Sequence, residues 1–192
     1  MIISHDYKFV FVANTKSAST SIEATLSKFD SGNYVNLEPQ WHSKHASLST
    51  IHNQFPEIDN YFKFGFIRNP FDWIVSWYNF RKKVNNSNNT KNIKFKDWLM
   101  NLNSTAYDFI GLGLNVKQSD ILTSPLINLD FMGKHQNVCS DLDKACKQIG
   151  IPPVQLPNHN TSKNVESKDY YDSESLEFVH RIFAKDFDLF NS

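Results

Sequence analysis

Hydrophobic positions follow two patterns along this chain, one suited to buried strands and one to amphipathic helices. Residues 8–13 and 61–67 are near-continuous apolar runs of strand length, rich in Phe and Val, which fit neighbouring parallel strands buried on both faces. Helical spacing follows the first run from Thr20 to Lys28, with Ile22 and Leu26 on one face. A short helix is expected over 46–55, closed by Pro56. After the second run, Asn69 and Pro70 open a helix to about Lys82, because Asn caps and Pro loses no bond in a first turn. Phe71, Ile74, Val75 and Tyr78 form its apolar stripe.

Later segments are shorter. The pattern predicts a helix over 95–102, a short strand over 129–132 and a helix over 138–149 that Gly150 and Pro152 terminate. The last helix starts near Ser173 and carries Leu176, Val179 and Phe183 at helical spacing. A short strand over 34–37, a mobile polar loop over 85–92, an irregular segment over 107–115 and a long loop over 152–164 complete the expectation. Strands alternating with helices give an α/β fold, with helices flanking a central parallel sheet in three layers. At 192 residues one domain over 1–192 is expected.

The chemistry concentrates where the two apolar runs end. The first empties into Asn14, Thr15, Lys16 and the run Ser17 to Ser21 before its helix; the second ends at Arg68, with Ser76 eight residues on. A strand passing through a turn into a helix aims unsatisfied N–H groups beyond the strand end, and the helix dipole favours an anion there. Lys16 and Arg68 add fixed positive charge. Two such turns suggest a ligand with phosphates at separate positions. The first turn contains no glycine and its lysine comes early, unlike the Gly-x4-Gly-Lys-Ser/Thr loop that wraps a triphosphate. It suits one phosphate held by Lys16, backbone N–H groups and hydroxyls without a metal.

Composition narrows the setting. Lys plus Arg and Asp plus Glu each number 20, so no net basic field draws the chain to nucleic acid or an anionic membrane. The first residues lack a basic start and a sustained apolar segment, so no secretory signal is expected, and no stretch has spanning length. Cys139 and Cys146 lie about 10 Å apart if both are on one helix, too far for a disulfide. Two free thiols suit a reducing, cytoplasmic setting.

These motifs resemble a known family. The run Lys16 to Ser21 after a strand looks like the 5′-phosphosulfate loop of sulfotransferases, and Arg68, Asn69, Pro70 and Phe71 with Ser76 look like their 3′-phosphate segment. The chain is similar to Golgi-type carbohydrate sulfotransferases and their small bacterial relatives. Asp130 to Gly133 resembles the family's next strand, and 170–190 its C-terminal helix and closing motif.

The resemblance implies 3′-phosphoadenosine 5′-phosphosulfate (PAPS) as donor and in-line sulfuryl transfer to an acceptor hydroxyl or amine, with no metal. A glycan or small-molecule acceptor is implied. By position, Lys16 contacts the bridging and leaving oxygens; Ser17, Ala18, Ser19 and Thr20, with Ser21 closing the segment, hold the 5′-phosphate. Arg68 and Ser76 hold the 3′-phosphate, while Ser162 and Lys163 belong to a segment folded over the nucleotide. The base comes from the region Trp41 to His45; the Lys44–His45 pattern favours His45, with His42 and Glu38 as alternatives. Relatives often carry an aromatic-Glu pair after the third strand, where this chain has His135 and Gln136.

Other readings stay open at this level. A hydroxyl-rich turn also caps helices without a ligand, Arg68 can be a surface arginine, and His45 can be a solvated histidine. His42, His45 and His52 match no familiar zinc spacing. Trp73 and Trp77 flank a packed face or line an acceptor sugar, and Arg81 to Lys83 complement a helix C-terminus. The functional alternatives are a small-molecule kinase and a non-catalytic nucleotide-binding module; oligomeric state is not legible.

Overall fold

Both apolar runs become strands. The computed structural model describes residues 1–32, 44–84, 93–101, 117–157 and 167–192. In chain order the elements are β1 (Ile2–Ser4), β2 (Phe9–Val12), α1 (Ser19–Leu26), α2 (Leu48–Gln54), β3 (Phe62–Ile67), α3 (Pro70–Val84), α4 (Phe95–Met100), α5 (Gln118–Leu122), β4 (Phe131–Lys134), α6 (Val138–Ile149), α7 (Ser173–Ile182) and α8 (Ala184–Asn191). They fall into two units: Met1–Arg68 with Gln118–Asn160, and Asn69–Lys117 with Thr161–Ser192.

The first unit holds a sheet of order β1-β2-β3-β4, in which β2, β3 and β4 are parallel and β1 runs antiparallel at the edge. The register sets Phe11 opposite Phe64 and Phe64 opposite Phe131. Because strand side chains alternate, this stacks aromatic rings on one face. There Phe9, Phe11, Phe64 and Phe66 meet Ile22 and Leu26 of α1 and Leu142, Ala145 and Cys146 of α6. Burying each phenylalanine contributes about 1.5–3 kcal/mol. A Cβ at Gly133 would lie 2.4 Å from the Phe66 ring, so β4 has a glycine where that ring crosses it. On the other face, a Cβ at Gly65 would lie 2.7 Å from Leu122 of α5, which in turn touches α2. The unit is therefore helix, sheet and helix in three layers.

The second unit is helical. α3, α4, α7 and α8 share a core that includes Trp73, Trp77, Tyr78, Trp98, Phe178 and Phe183. Trp73 is fully buried, with its ring edge-on to Trp77 at 6.0 Å and to Phe183 at 5.9 Å. Both Trp73 and Trp77 are thus core residues, which removes an acceptor-lining role. Asn69 caps α3 as expected, its Oδ1 accepting from the Phe71 N–H at 2.9 Å.

Several expectations shift. β1 was not anticipated, since three residues carry no readable period. The predicted strand at 129–132 forms two residues later, because the Asp130 carboxylate takes the Lys63 N–H at 2.7 Å before regular pairing begins. α2 starts after Ser47, whose hydroxyl accepts from the Thr50 N–H at 3.1 Å. The last helix breaks at Phe183, and Leu176 is exposed while Phe178 is buried in its place. Gly150 ends α6 in the left-handed region at φ 82°, as its position implied. The expected features at 34–37, 85–92 and 107–115, and most of the loop's second half at 158–164, lie outside the described residues.

Candidate functional site

The turn between β2 and α1 does without glycine a job that usually calls for it. Lys16 and Ala18 adopt left-handed backbone angles, at φ 55° and 65°. Each such residue costs about 1–2 kcal/mol relative to ordinary geometry, so the conformation must be held by its surroundings. Ser17 is buried and donates its hydroxyl to the Asn14 carbonyl at 2.9 Å. Arg68 Nη1 donates to the Lys16 carbonyl at 3.2 Å. Ala18 stands at the N-cap of α1 with no side-chain cap, while its carbonyl accepts from Ser21 and Ile22. The first turn of α1 therefore has no side-chain cap, and an uncapped helix start favours an anion.

The hydroxyls are unequal. Ser17, Ser19 and Ser21 are buried, and Thr20 is exposed. What Ser17 offers an outside ligand is consequently its backbone N–H, because its O–H hydrogen is committed within the loop.

A buried amide network joins the ends of β2 and β3. Asn14 Nδ2 donates to the Phe66 carbonyl and to Gln118 Oε1, each at 2.9 Å. Gln118 Oε1 also accepts from the Arg68 N–H at 2.9 Å, and its Nε2 donates to the Arg68 carbonyl at 2.8 Å. Gln118 is fully buried at the start of α5. Neither amide was singled out from the sequence. Asn14 at a strand end was a visible signal; Gln118 had none, because its partners are 50 and 104 residues away.

His45 stands at the same end of β2. Its Nδ1 lies 2.7 Å from the Ala13 carbonyl, which can only accept, so Nδ1 carries the hydrogen and Nε2 is left as the basic nitrogen. Burial pushes its pKa below 6.5, opposed by the Ala13 hydrogen bond and the Glu23 charge. The ring is therefore neutral at pH 7. The preceding Lys44 donates to Thr20 Oγ1 at 3.3 Å and lies 3.4 Å from the Glu23 carboxylate, so this segment lies against the first turn of α1.

Lys16, the run Ser17 to Ser21, Arg68 and His45 thus belong to one unit. Ser76 is half-buried on α3 in the second unit. Ser162, Lys163, His42 and Glu38 lie outside the described residues. The His135 and Gln136 departure falls in a short helical turn directly after β4. Among the described residues, no three His, Cys, Asp or Glu side chains are grouped to hold a metal, and no helix is long and apolar enough to cross a membrane.

The sequence profile described as the sulfotransferase family matches residues 1–191. The chain belongs to the sulfotransferase family. Membership assigns this sulfotransferase to sulfuryl transfer in general and implies an activated sulfate donor and a small-molecule acceptor. A protein of Archaeoglobus fulgidus described as uncharacterized is 32% identical over 96 residues, half of this sulfotransferase and 72% of that relative. No solved structure matches the chain.

Proposed function

We propose that this sulfotransferase moves a sulfuryl group from PAPS to a carbohydrate hydroxyl, with residues 1–192 acting as one transferase domain. The observation that carries the reading is the 3.2 Å hydrogen bond from the Arg68 guanidinium to the Lys16 carbonyl. It unites the two cationic strand ends on which the resemblance places the donor's phosphates. The residues fit such a donor: a lysine, an arginine and an uncapped helix start supply positive charge and N–H donors. When bound, PAPS supplies the activated sulfuryl group.

Lys16 stabilises negative charge on the leaving phosphate oxygen, an interaction stronger in the transition state than before it. The N–H groups of Ser17, Ala18, Ser19 and Thr20 bind the 5′-phosphate at the start of α1. Ser21 supports that turn through its N–H to the Ala18 carbonyl. Arg68 binds the 3′-phosphate; Ser76, Ser162 and Lys163 join the donor-binding set on the resemblance alone. His45 holds its Nε2 lone pair ready for the acceptor's hydroxyl proton, since Nδ1–H is fixed by Ala13. A neutral imidazole suits this role at pH 7.

The test is transfer of labelled sulfate from PAPS to a panel of glycans, with Lys16→Ala and His45→Ala alongside. The reading expects labelled product that both substitutions remove. Binding of PAPS without transfer to any glycan would favour a non-catalytic nucleotide-binding module, and phosphoryl transfer from ATP would favour a kinase.

A further inference from the structure

The Gln118 side chain copies, at a strand end, what a neighbouring strand does along a ladder. It accepts from the Arg68 N–H at 2.9 Å and donates to the Arg68 carbonyl at 2.8 Å, gripping both backbone groups of one residue. The amide orientation is over-determined: Arg68 N–H requires the oxygen on one side, and Arg68 C=O requires the nitrogen on the other. That same oxygen takes a hydrogen bond from Asn14 Nδ2 at 2.9 Å. Asn14 carries the bond onward, since its second amide hydrogen goes to the Phe66 carbonyl and its backbone carbonyl accepts the Ser17 hydroxyl. All of Asn14, Ser17 and Gln118 are buried. The chain of contacts therefore runs from α5 through the end of β3 into the left-handed turn at Lys16, and the Arg68 guanidinium closes it on the Lys16 carbonyl.

Resting on the donor reading above, we propose that Gln118 is a positioning residue that fixes Arg68 for recognition of the donor's 3′-phosphate. It touches no ligand in this role. Gln118 sets where the Arg68 backbone lies, and hence where the guanidinium reaches; the loop that carries Lys16 is tied to the same amide through Asn14. Removing the amide takes one acceptor from the partly buried Arg68 N–H and one from the buried Asn14 Nδ2, so Arg68 shifts to regain one.

The experiment compares calorimetric affinities for adenosine 3′,5′-bisphosphate and adenosine 5′-monophosphate, which differ only at the 3′-phosphate. The wild-type chain, Gln118→Met, Gln118→Asn, Arg68→Ala and the double variant Gln118→Met/Arg68→Ala are measured, with folding checked by circular dichroism and melting. The wild type should prefer the bisphosphate, and Gln118→Met should cut that preference about tenfold while leaving monophosphate affinity within about twofold. Gln118→Asn keeps a polar partner in the site but is one methylene short, so its preference should fall between the two even if the methionine variant folds poorly. In the Arg68→Ala background, Gln118→Met should add no further loss of preference. Equal weakening of both ligands, or a preference that survives in Gln118→Met and Gln118→Asn, overturns the positioning role while the donor reading stands. A wild type with no preference for the bisphosphate removes the donor reading itself and the proposal with it.

Discussion

The two ends of the same parallel strands are built from different chemistry. At the N-terminal end of β3, Lys63 is buried and pairs with the Asp130 carboxylate at 2.9 Å while donating to the Asp59 carbonyl at 3.2 Å. Charge there is matched by opposite charge and serves to join β3 to the start of β4. At the C-terminal end, neutral amides hold the backbone: Asn14 and Gln118 grip backbone groups, and the Arg68 guanidinium donates to the Lys16 carbonyl. On one sheet, a cation at one end joins two strands through an ion pair, whereas a cation at the other end stands on a backbone that neutral amides hold.

The largest effects expected from breaking this contrast are at the C-terminal end and fall on catalysis. His45→Ala should lower the transfer rate about 10²- to 10⁴-fold, and Lys16→Ala about 10²- to 10³-fold, with melting temperature nearly unchanged in the lysine variant. Steady-state transfer and a melting curve check both. If Lys16→Ala lost stability in proportion to rate, the contrast between the two ends would fail.

At the N-terminal end the expected loss is in stability instead. Lys63→Ala leaves Asp130 without its cation, and because that carboxylate is 45% exposed the cost should be about 2 kcal/mol, below the range for a fully buried pair. Urea unfolding measures it, and affinity for adenosine 3′,5′-bisphosphate should not change. A smaller control lies between the ends: Gly133→Ala pushes a Cβ into the Phe66 ring and should destabilise by about 1–3 kcal/mol without altering ligand preference.

The pH dependence sharpens the assignment of His45. Its folded pKa lies below 6.5, so as pH falls through 6.5 the unfolded chain takes up the proton first. His45 therefore costs no stability above pH 6.5 and lowers stability as pH drops from 6.5 towards the folded value. The acid limb of the transfer rate should likewise lie below pH 6.5 and vanish in His45→Ala. A limb at or above 6.5 would contradict the buried, Ala13-bound imidazole. The smallest expected effect is a gain: Ala18→Gly relieves a left-handed residue at some entropic cost and should stabilise by about 0.5 kcal/mol, read by urea unfolding.

What was legible in the sequence follows from the range of the physics involved. Strands β2 and β3 and helices α3 and α6 were readable because apolar periodicity and end signals such as Asn69, Pro70 and Gly150 act over a few residues. The cationic strand ends were visible for the same reason. Gln118 was not, because its value depends on register between segments that chain position does not reveal. The left-handed angles at Lys16 and Ala18 were equally hidden, since neither residue type advertises them. Phe178 took the place expected of Leu176 because both satisfy a helical period, and only packing chooses between them.

The central claim is that Lys16 and Arg68, brought together at adjacent strand ends, form a site for a donor bearing phosphates at separate positions. Thermal protection by adenosine 3′,5′-bisphosphate against protection by ATP, measured on the wild-type chain and on Arg68→Ala, tests it most directly. The account predicts that the bisphosphate raises the melting temperature more than ATP does and that Arg68→Ala abolishes the difference. Protection by ATP but not by the bisphosphate would contradict it.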